Sequence, residues 1–363
     1  MFAAAWNSEK SHASKTGSSR VSVTDVFSFQ IRGECIRGKE MGRSLTVRQR
    51  MFLVSFVTIL FVMPISCSHN QQIADPNFDT RVAQPTYVNN HPKVLFDEAH
   101  HNIHPMRGGY KPFVDLISND GYQVTPNRAP LSQKALSGVT VLVIANALGP
   151  NNAFVDHAAF TDAECDAIRD WVQSGGSLLL ITDHAPTGAA AETLAQRFGV
   201  AMSKGMTEDP KNYDTTSTDT SQLLFTRDNG LLLNHPVTQG RDVKERVDRV
   251  MTFTGQSLKG PANATPFLKL ADSAVNRPAT VRIQKSGGDT RVYITYGDAQ
   301  PARGFAQALA LQFGIGRVVI LGEAGMLTAQ LDGKTQKPFG MNVAGIDNRK
   351  LAVNIMHWLS HTL

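Results

Sequence analysis

Two short runs constrain this chain more than anything else in it: VLFDEAHHN at Val94 to Asn102 and LLLITDH at Leu178 to His184. Each is a burst of aliphatic residues that stops abruptly in carboxylates and imidazoles. A strand buried on one face alternates apolar with polar residues. A run that is apolar throughout is buried on both faces, as in a parallel sheet covered by helices. Its polar end then lies at the carboxyl edge of the sheet, where open α/β folds bind ligands. The sequence thus predicts an α/β fold and locates a site, with less to say about a reaction.

Strand and helix alternate along most of the chain, as such a fold requires. Strands are predicted at Lys93 to Asp97, Tyr122 to Thr125, Val139 to Asn146, Ser177 to Asp183 and Arg317 to Gly322. A helix is expected over Tyr110 to Asp120, stopped by Gly121. A second opens at a capping box, Thr161 with Glu164, in which hydroxyl and carboxylate satisfy orphan N–H groups, and ends at Gly175-Gly176. A small-residue helix runs from Gly188 to Phe198. Asp347-Asn348 caps a last helix with Leu351, Ile355 and Leu359 on its buried stripe. Residues 204–300 differ in texture, with a polar YDTTSTDTS tract and a strand at Val292 to Tyr296 after a Ser286-to-Asp289 turn. They read as an inserted loop and hairpin region, placed to act as a lid.

The N-terminus reads as a targeting segment. Residues 51–65, MFLVSFVTILFVMPI, are too few to span a bilayer as a helix, which takes about 20 apolar residues. Arg43, Arg48 and Arg50 precede them, and Ile65-Ser66-Cys67 follows, which makes an export signal. A cysteine after a small residue resembles a bacterial lipoprotein box, with Cys67 the lipidated first residue, although Pro64 stands where that box usually has Leu. The alternatives are an uncleaved anchor or an ordinary signal cut nearby. Residues 1–66 are therefore set apart as leader and signal, with 1–40 a mis-called start or a cytoplasmic tail. Residues 67–90 are expected to be a tether, and 91–363 the folded domain.

Charge then falls into place. Nine of the 36 Lys and Arg and four of the 31 Asp and Glu lie in the first 50 residues, and residues 51–66 hold neither, which leaves 27 of each from Cys67 onward. The basic balance belongs to the leader, so the folded part carries no electrostatic signature of a nucleic-acid partner. Of three cysteines only Cys165 falls inside the domain, on an apolar helix face, where it reads as inert packing without an intramolecular disulfide.

Strand ends supply the candidate chemistry: Glu98, His100 and Asn102 after the first, Asn146 after the third, Asp183 and His184 after the fourth, Glu323 after the last. Glu98 and His100 are two apart and would point to one side of an extended segment, making them the better pair, with Asp97 and His101 facing elsewhere or supporting them. Carboxylate plus imidazole suits two chemistries. One is a divalent metal (zinc, manganese or iron) held by Glu98, His100, Asp183 and His184 and activating water. The other is metal-free acid–base work by Asp183, His184 and Glu323, with Asn102 and Asn146 binding substrate. Each residue also has a plain structural reading as a helix cap or loop anchor. HExxH and Cys-pair spacings, a G-x-S-x-G elbow, and Walker or dinucleotide glycine patterns after a strand are all absent. The serine of Thr254-Gly255-Gln256-Ser257 is a weak candidate, Arg107-Gly108-Gly109-Tyr110 reads equally as a ligand loop or a turn, and His357 reads as an exposed helix residue.

From Lys93 to Leu363 the order of motifs resembles a group of exported, largely uncharacterised bacterial proteins with a class I glutamine-amidotransferase-like domain. VLFDEAHHN, LVIANAL, DWVQSGGSLLLITDH, GEAGMLTAQ and DNRKLAVNIMHWL carry the resemblance. The chain is also similar to domains of gliding-motility auxiliaries and intraflagellar-transport proteins, in which the fold works without catalysis. The resemblance implies a flavodoxin-like three-layer sandwich with a mainly parallel sheet. True amidotransferases place a cysteine nucleophile where this chain has Ile181-Thr182-Asp183-His184, so a glutaminase thiol mechanism is not implied. The expectation is an exported, lipid-anchored, periplasmic or cell-surface protein, held to the membrane through its lipid. It acts as a hydrolase on a carbohydrate or cell-envelope substrate, or serves as a non-catalytic binding scaffold.

Overall fold

The computed structural model describes residues 72–149, 158–286 and 289–363, together with the backbone of two short paired strands, Ser8–Glu9 and Val26–Phe27. The apolar run at 51–65 and Cys67 lie outside the described residues. Among those described, no helix is long and apolar enough to cross a membrane.

The domain is mixed α/β, built on one nine-stranded sheet. Its strands, in chain order, are β1 (Lys93–Asp97), β2 (Gln123–Asn127), β3 (Val141–Ala145), β4 (Ser177–Ile181), β5 (Ala201–Met202), β6 (Leu258–Lys259), β7 (Thr265–Lys269), β8 (Ala306–Phe313) and β9 (Gly316–Leu321). Five of them run parallel in the order β2-β1-β3-β4-β9. The chain leaves β1 toward β2 and later returns to build outward from β3. The order therefore reverses between β1 and β3, and the carboxyl ends of these strands are where doubly wound folds place their ligands.

The four longer helices are α1 (Lys111–Asn119), α2 (Asp162–Gln173), α3 (Glu192–Gln196) and α4 (Asn348–Leu359). Strand residues alternate between the two faces. Val94, Phe96, Val141, Val143, Leu179, Ile181 and Val319 pack with α1 and α4. Leu142, Ile144, Leu178, Leu180, Val318 and Ile320 pack with α2 and α3. Burial on both faces is why β3 and β4 read as unbroken apolar runs. The predicted capping box is formed, with the Thr161 side chain accepting from the Glu164 N–H and Glu164 accepting from the Thr161 N–H.

The expectation of a mainly parallel sheet is corrected, because β8 runs antiparallel beside β9 and carries β6 and β7 on its far side. Residues 258–269, expected to be an insertion above the site, thereby complete the main sheet. The hairpin of Ala279–Ser286 with Asp289–Tyr296 is present and pairs only with itself. The expected tether also changes: from Gln72 the chain already belongs to the domain. Gln72–Ala74 pairs with Ala329–Asp332, and the Thr86 and Tyr87 N–H groups donate to Asp120. His357, expected on the surface, is fully buried with Nε2 2.6 Å from Asp120 Oδ2.

Asp347 occupies the N-cap position of α4, but its carboxylate accepts from the backbone N–H groups of Asp248 and Arg249 instead of capping. Beside it, Asn348 is fully buried; it accepts from Met251 N–H and donates to the carbonyls of Met251 and Met326. This one side chain stitches the insertion and the loop after β9 to α4. Replacing it by Ala strands three buried backbone groups, each worth about 1 kcal/mol or more. Asn348→Ala is expected to lose about 2–4 kcal/mol in urea unfolding, and a loss below about 1 kcal/mol would show that the stitch is idle.

Candidate active site

Parallel pairing brings strand ends level. Ala145, Ile181 and Leu321 lie abreast on β3, β4 and β9, so the residues that follow emerge together at one edge. Asn146 N–H donates to Ile181 carbonyl and Thr182 N–H to Leu321 carbonyl, which continues the ladder for one more step. Asn146 then turns with φ of 49°, the left-handed region that Asn tolerates better than most residues.

Asp183, His184, Glu323 and Asn146 gather there, all nine-tenths or more buried. Asp183 accepts from His184 N–H through Oδ1 at 2.8 Å, from Asn146 Nδ2 through Oδ2 at 3.3 Å, and from Ala324 N–H. Glu323 accepts from Gly325 N–H at 2.5 Å, Met326 N–H at 2.7 Å and Phe253 N–H. Burial raises both carboxyls, Asp183 to about 7, and the Asp183 charge pushes Glu323 higher still. The two are electrostatically coupled in a site shielded from water, and the Asp183 charge holds Glu323 toward its protonated form.

His184 Nδ1 lies 2.6 Å from the Ala185 carbonyl, which can only accept, so Nδ1 carries the hydrogen and Nε2 is the unprotonated nitrogen, 3.8 Å from Asp183 Oδ1. Burial lowers this imidazole to about 4 and keeps it neutral. Tyr110 donates to the Ala324 carbonyl at 2.7 Å, and Tyr296, at the root of the hairpin, brings its hydroxyl to 3.4 Å from His184 Nδ1. Gln256 braces the same turn from below, donating to Thr182 Oγ1 and the Asp183 carbonyl.

The first-strand pair does not form as expected. β1 ends at Asp97, and the turn that follows carries His100 back to it, with Nδ1 2.8 Å from Asp97 Oδ2. Its Nε2 is 2.9 Å from Glu164 Oε1, so His100 bridges two buried carboxylates. Burial opposes charge on this ring, but Asp97 and Glu164 override it and hold the imidazole above its ordinary value. Glu164 thus serves twice, as cap for α2 and as counter-ion, and also accepts from Leu131 N–H. Glu98 faces away, accepting from Met106 N–H and Arg128. Glu98 and His100 thus point to partners other than Asp183 and His184, and both His100 nitrogens face carboxylates. Among the described residues no group of three or more His, Cys, Asp and Glu comes together as a metal site.

Asn102 joins the Asp183 cluster. Its Nδ2 donates to Ala145 carbonyl, while Ile103 N–H donates to Asn146 carbonyl, so the loop after β1 lies along the end of β3. Asp219, from the polar tract, bears on His184 through its charge. Sequence reasoning named Tyr110 only within a ligand loop or turn, and it missed Tyr296, Asp219 and the second role of Glu164. Only Glu164 carried a signal, the capping box.

Fold and site together define an α/β domain with a buried acidic centre at the carboxyl edge of its parallel strands. The chain belongs to the DUF4350 family, a domain of unknown function, whose model matches residues 104–331. No curated protein matches it. Among solved structures it is similar to the mmIFT52 N-terminal domain, with a TM-score of 0.50 at 14% identity over 74% of this chain and 97% of that one. It is also similar to the cytoplasmic protein STM3548 from Salmonella typhimurium (0.43, 13%, 74% and 98%) and to a ThuA-like protein from Bacteroides uniformis (0.36, 13%, 76% and 94%). Likeness at this identity is one of fold alone.

Two predictions follow from the geometry. Glu164→Ala leaves His100 and Asp97 buried without their third partner and is expected to cost about 3–5 kcal/mol near pH 6, read by urea unfolding. Asp183 binds its proton more tightly folded than unfolded, so between pH 4 and 7 the folded state holds the extra proton and stability from this group falls as pH rises. Asp183→Asn is expected to gain stability over the parent across that window. Thermal unfolding at pH 4.5 and 7.5 checks this, and a constant difference between the two proteins would contradict it.

Proposed function

We propose that this protein is an exported, lipid-anchored hydrolase that uses the Asp183–Glu323 pair for acid–base chemistry on a carbohydrate or cell-envelope substrate. One observation carries the reading: a buried, electrostatically coupled pair of carboxyls, with Asp183 raised to about 7, at the edge where doubly wound sheets bind ligands. A group poised near the working pH can take a proton from an attacking water and return it to the leaving group. In this reading Asp183 moves the proton. Glu323, fixed by three backbone N–H groups, is held toward its protonated form by burial and by the Asp183 charge. His184 stays neutral and positions the turn, and Asn146 and Asn102 hold substrate. The strand order β2-β1-β3-β4-β9 with helices on both faces supports placing the domain among flavodoxin-like, amidotransferase-like sandwiches, elaborated by β5 to β8.

Export rests on the basic, apolar and small-residue succession that ends at Cys67. A second reading, a non-catalytic ligand-binding lipoprotein, is favoured by the main-chain partners that occupy both Glu323 oxygens and His184 Nδ1.

The test is release of reducing ends from purified envelope glycan. Asp183→Asn is expected to lower kcat by about 100-fold or more while KM changes little. Equal rates for parent and variant would remove Asp183 from the chemistry, and no turnover by the parent would favour the binding reading. Labelled palmitate is expected to enter the parent but not Cys67→Ser, and equal labelling of the two would end the lipid-anchor proposal.

A further inference from the structure

The hydrogen-bond inventory of the site is one-sided. Asn146 spends its Nδ2 on Asp183, and its Oδ1, though buried, has no hydrogen-bond partner. Asn102 spends its Nδ2 on the Ala145 carbonyl, and its buried Oδ1 likewise has none. Neither amide can be turned over without cost. Flipping Asn102 would set its oxygen against a carbonyl, and flipping Asn146 would set its oxygen against a carboxylate. The two residues lie on adjoining segments at the ends of β1 and β3, joined by the bond from Ile103 N–H to Asn146 carbonyl. Each buried oxygen left this way carries a desolvation penalty that a donor from a ligand would remove.

Among the described residues, charge at the site has one sign: Asp183 and Glu323 lie in it, Asp219 acts on His184 through its charge, and no Lys or Arg contributes to the electrostatics of Asp183 or His184. The nearby His104 and His184 are both lowered to about 4 by burial and stay neutral. A phosphate, sulfate or carboxylate brought here would meet like charge and acceptors. A neutral polyol would satisfy the amide oxygens but leave the acid pair uncompensated. A ligand with a protonated amine beside hydroxyl groups answers both needs.

We propose that the site at the carboxyl ends of β1 and β3 takes a cationic amino sugar, with the open oxygens of Asn102 and Asn146 accepting from its hydroxyl or ammonium groups and Asp183 facing its charge. This names the ligand class for the site to which hydrolysis was assigned above and rests on that assignment of place, though not on turnover.

Isothermal titration of the detergent-solubilised full chain with glucosamine, glucose and glucuronate at pH 7 tests it. Glucosamine is expected to bind at least about tenfold more tightly than glucose, and glucuronate not to bind. Asn146→Leu removes an acceptor and is expected to weaken glucosamine and glucose alike. Asp183→Asn is expected to erase the preference for the amine while keeping the affinity for glucose, and Asp219→Asn to reduce that preference in part. Binding of glucuronate as tight as that of glucosamine, an unchanged preference in Asp183→Asn, or no glucosamine binding in the millimolar range overturns the inference. Loss of glycan turnover in Asp183→Asn without any amine preference would sink this inference alone and leave hydrolysis standing. An amine preference without turnover would do the reverse.

Discussion

The in-register pairing of β3, β4 and β9 is the constraint on which the rest of the structure depends. Because these strands run parallel and stop together, residues more than 170 positions apart in sequence leave the sheet at one level. A shift by one residue would turn every side chain to the opposite face, so the register is fixed by the apolar layers on both sides. The polar centre is thereby placed by hydrophobic burial far from itself. Within the cluster, the Ala324 N–H that Asp183 accepts ties the two segments together, while the charge of Asp183 opposes ionisation of Glu323. The sheet imposes their proximity, and a raised proton affinity is how the pair tolerates it.

The same edge carries a second polar cluster with the opposite electrostatic outcome. Around His100, two carboxylates meet one imidazole whose two nitrogens both donate, and nearly every lone pair and proton is spent. Around Asp183 and Glu323 the acids meet amides and no cation. Both clusters are buried and both join segments distant in sequence, so burial alone does not separate a structural site from a functional one. The difference is in compensation. A satisfied cluster locks the turn after β1, and the one beside it leaves the buried Asn102 and Asn146 oxygens without a partner among the described residues.

The five parallel strands were legible because burial on both faces writes itself as an unbroken aliphatic run, and their polar ends marked the edge. β8 was hidden: AQALALQF is rich in Ala and Gln, which lack the β-branched signature of a strand, yet neighbours on both sides hold it in the centre of the sheet. The pairing of Glu98 with His100 failed for a definite reason. Period-two reasoning holds only while the chain stays extended, and β1 ends one residue before Glu98. Asp183 and His184 could be placed because Pro186 announced the break. Glu164 could be recognised as a cap from its spacing to Thr161, but its partner is 64 residues away, and no local pattern reports such a contact.

The hairpin of Ala279 to Tyr296 pairs with no other strand, and a two-stranded ribbon is barely stable alone. Its root holds it: Ala279, Val281, Ile294 and Tyr296 pack with Leu148, Ile103 and Met206, beside the loops that carry Asn102 and Asn146. Eight paired residues per strand give an arm of roughly 27 Å, at about 3.4 Å per residue. Such an arm is rooted on the loops that carry Asn102 and Asn146, so a load applied at its far end would reach those loops as torque.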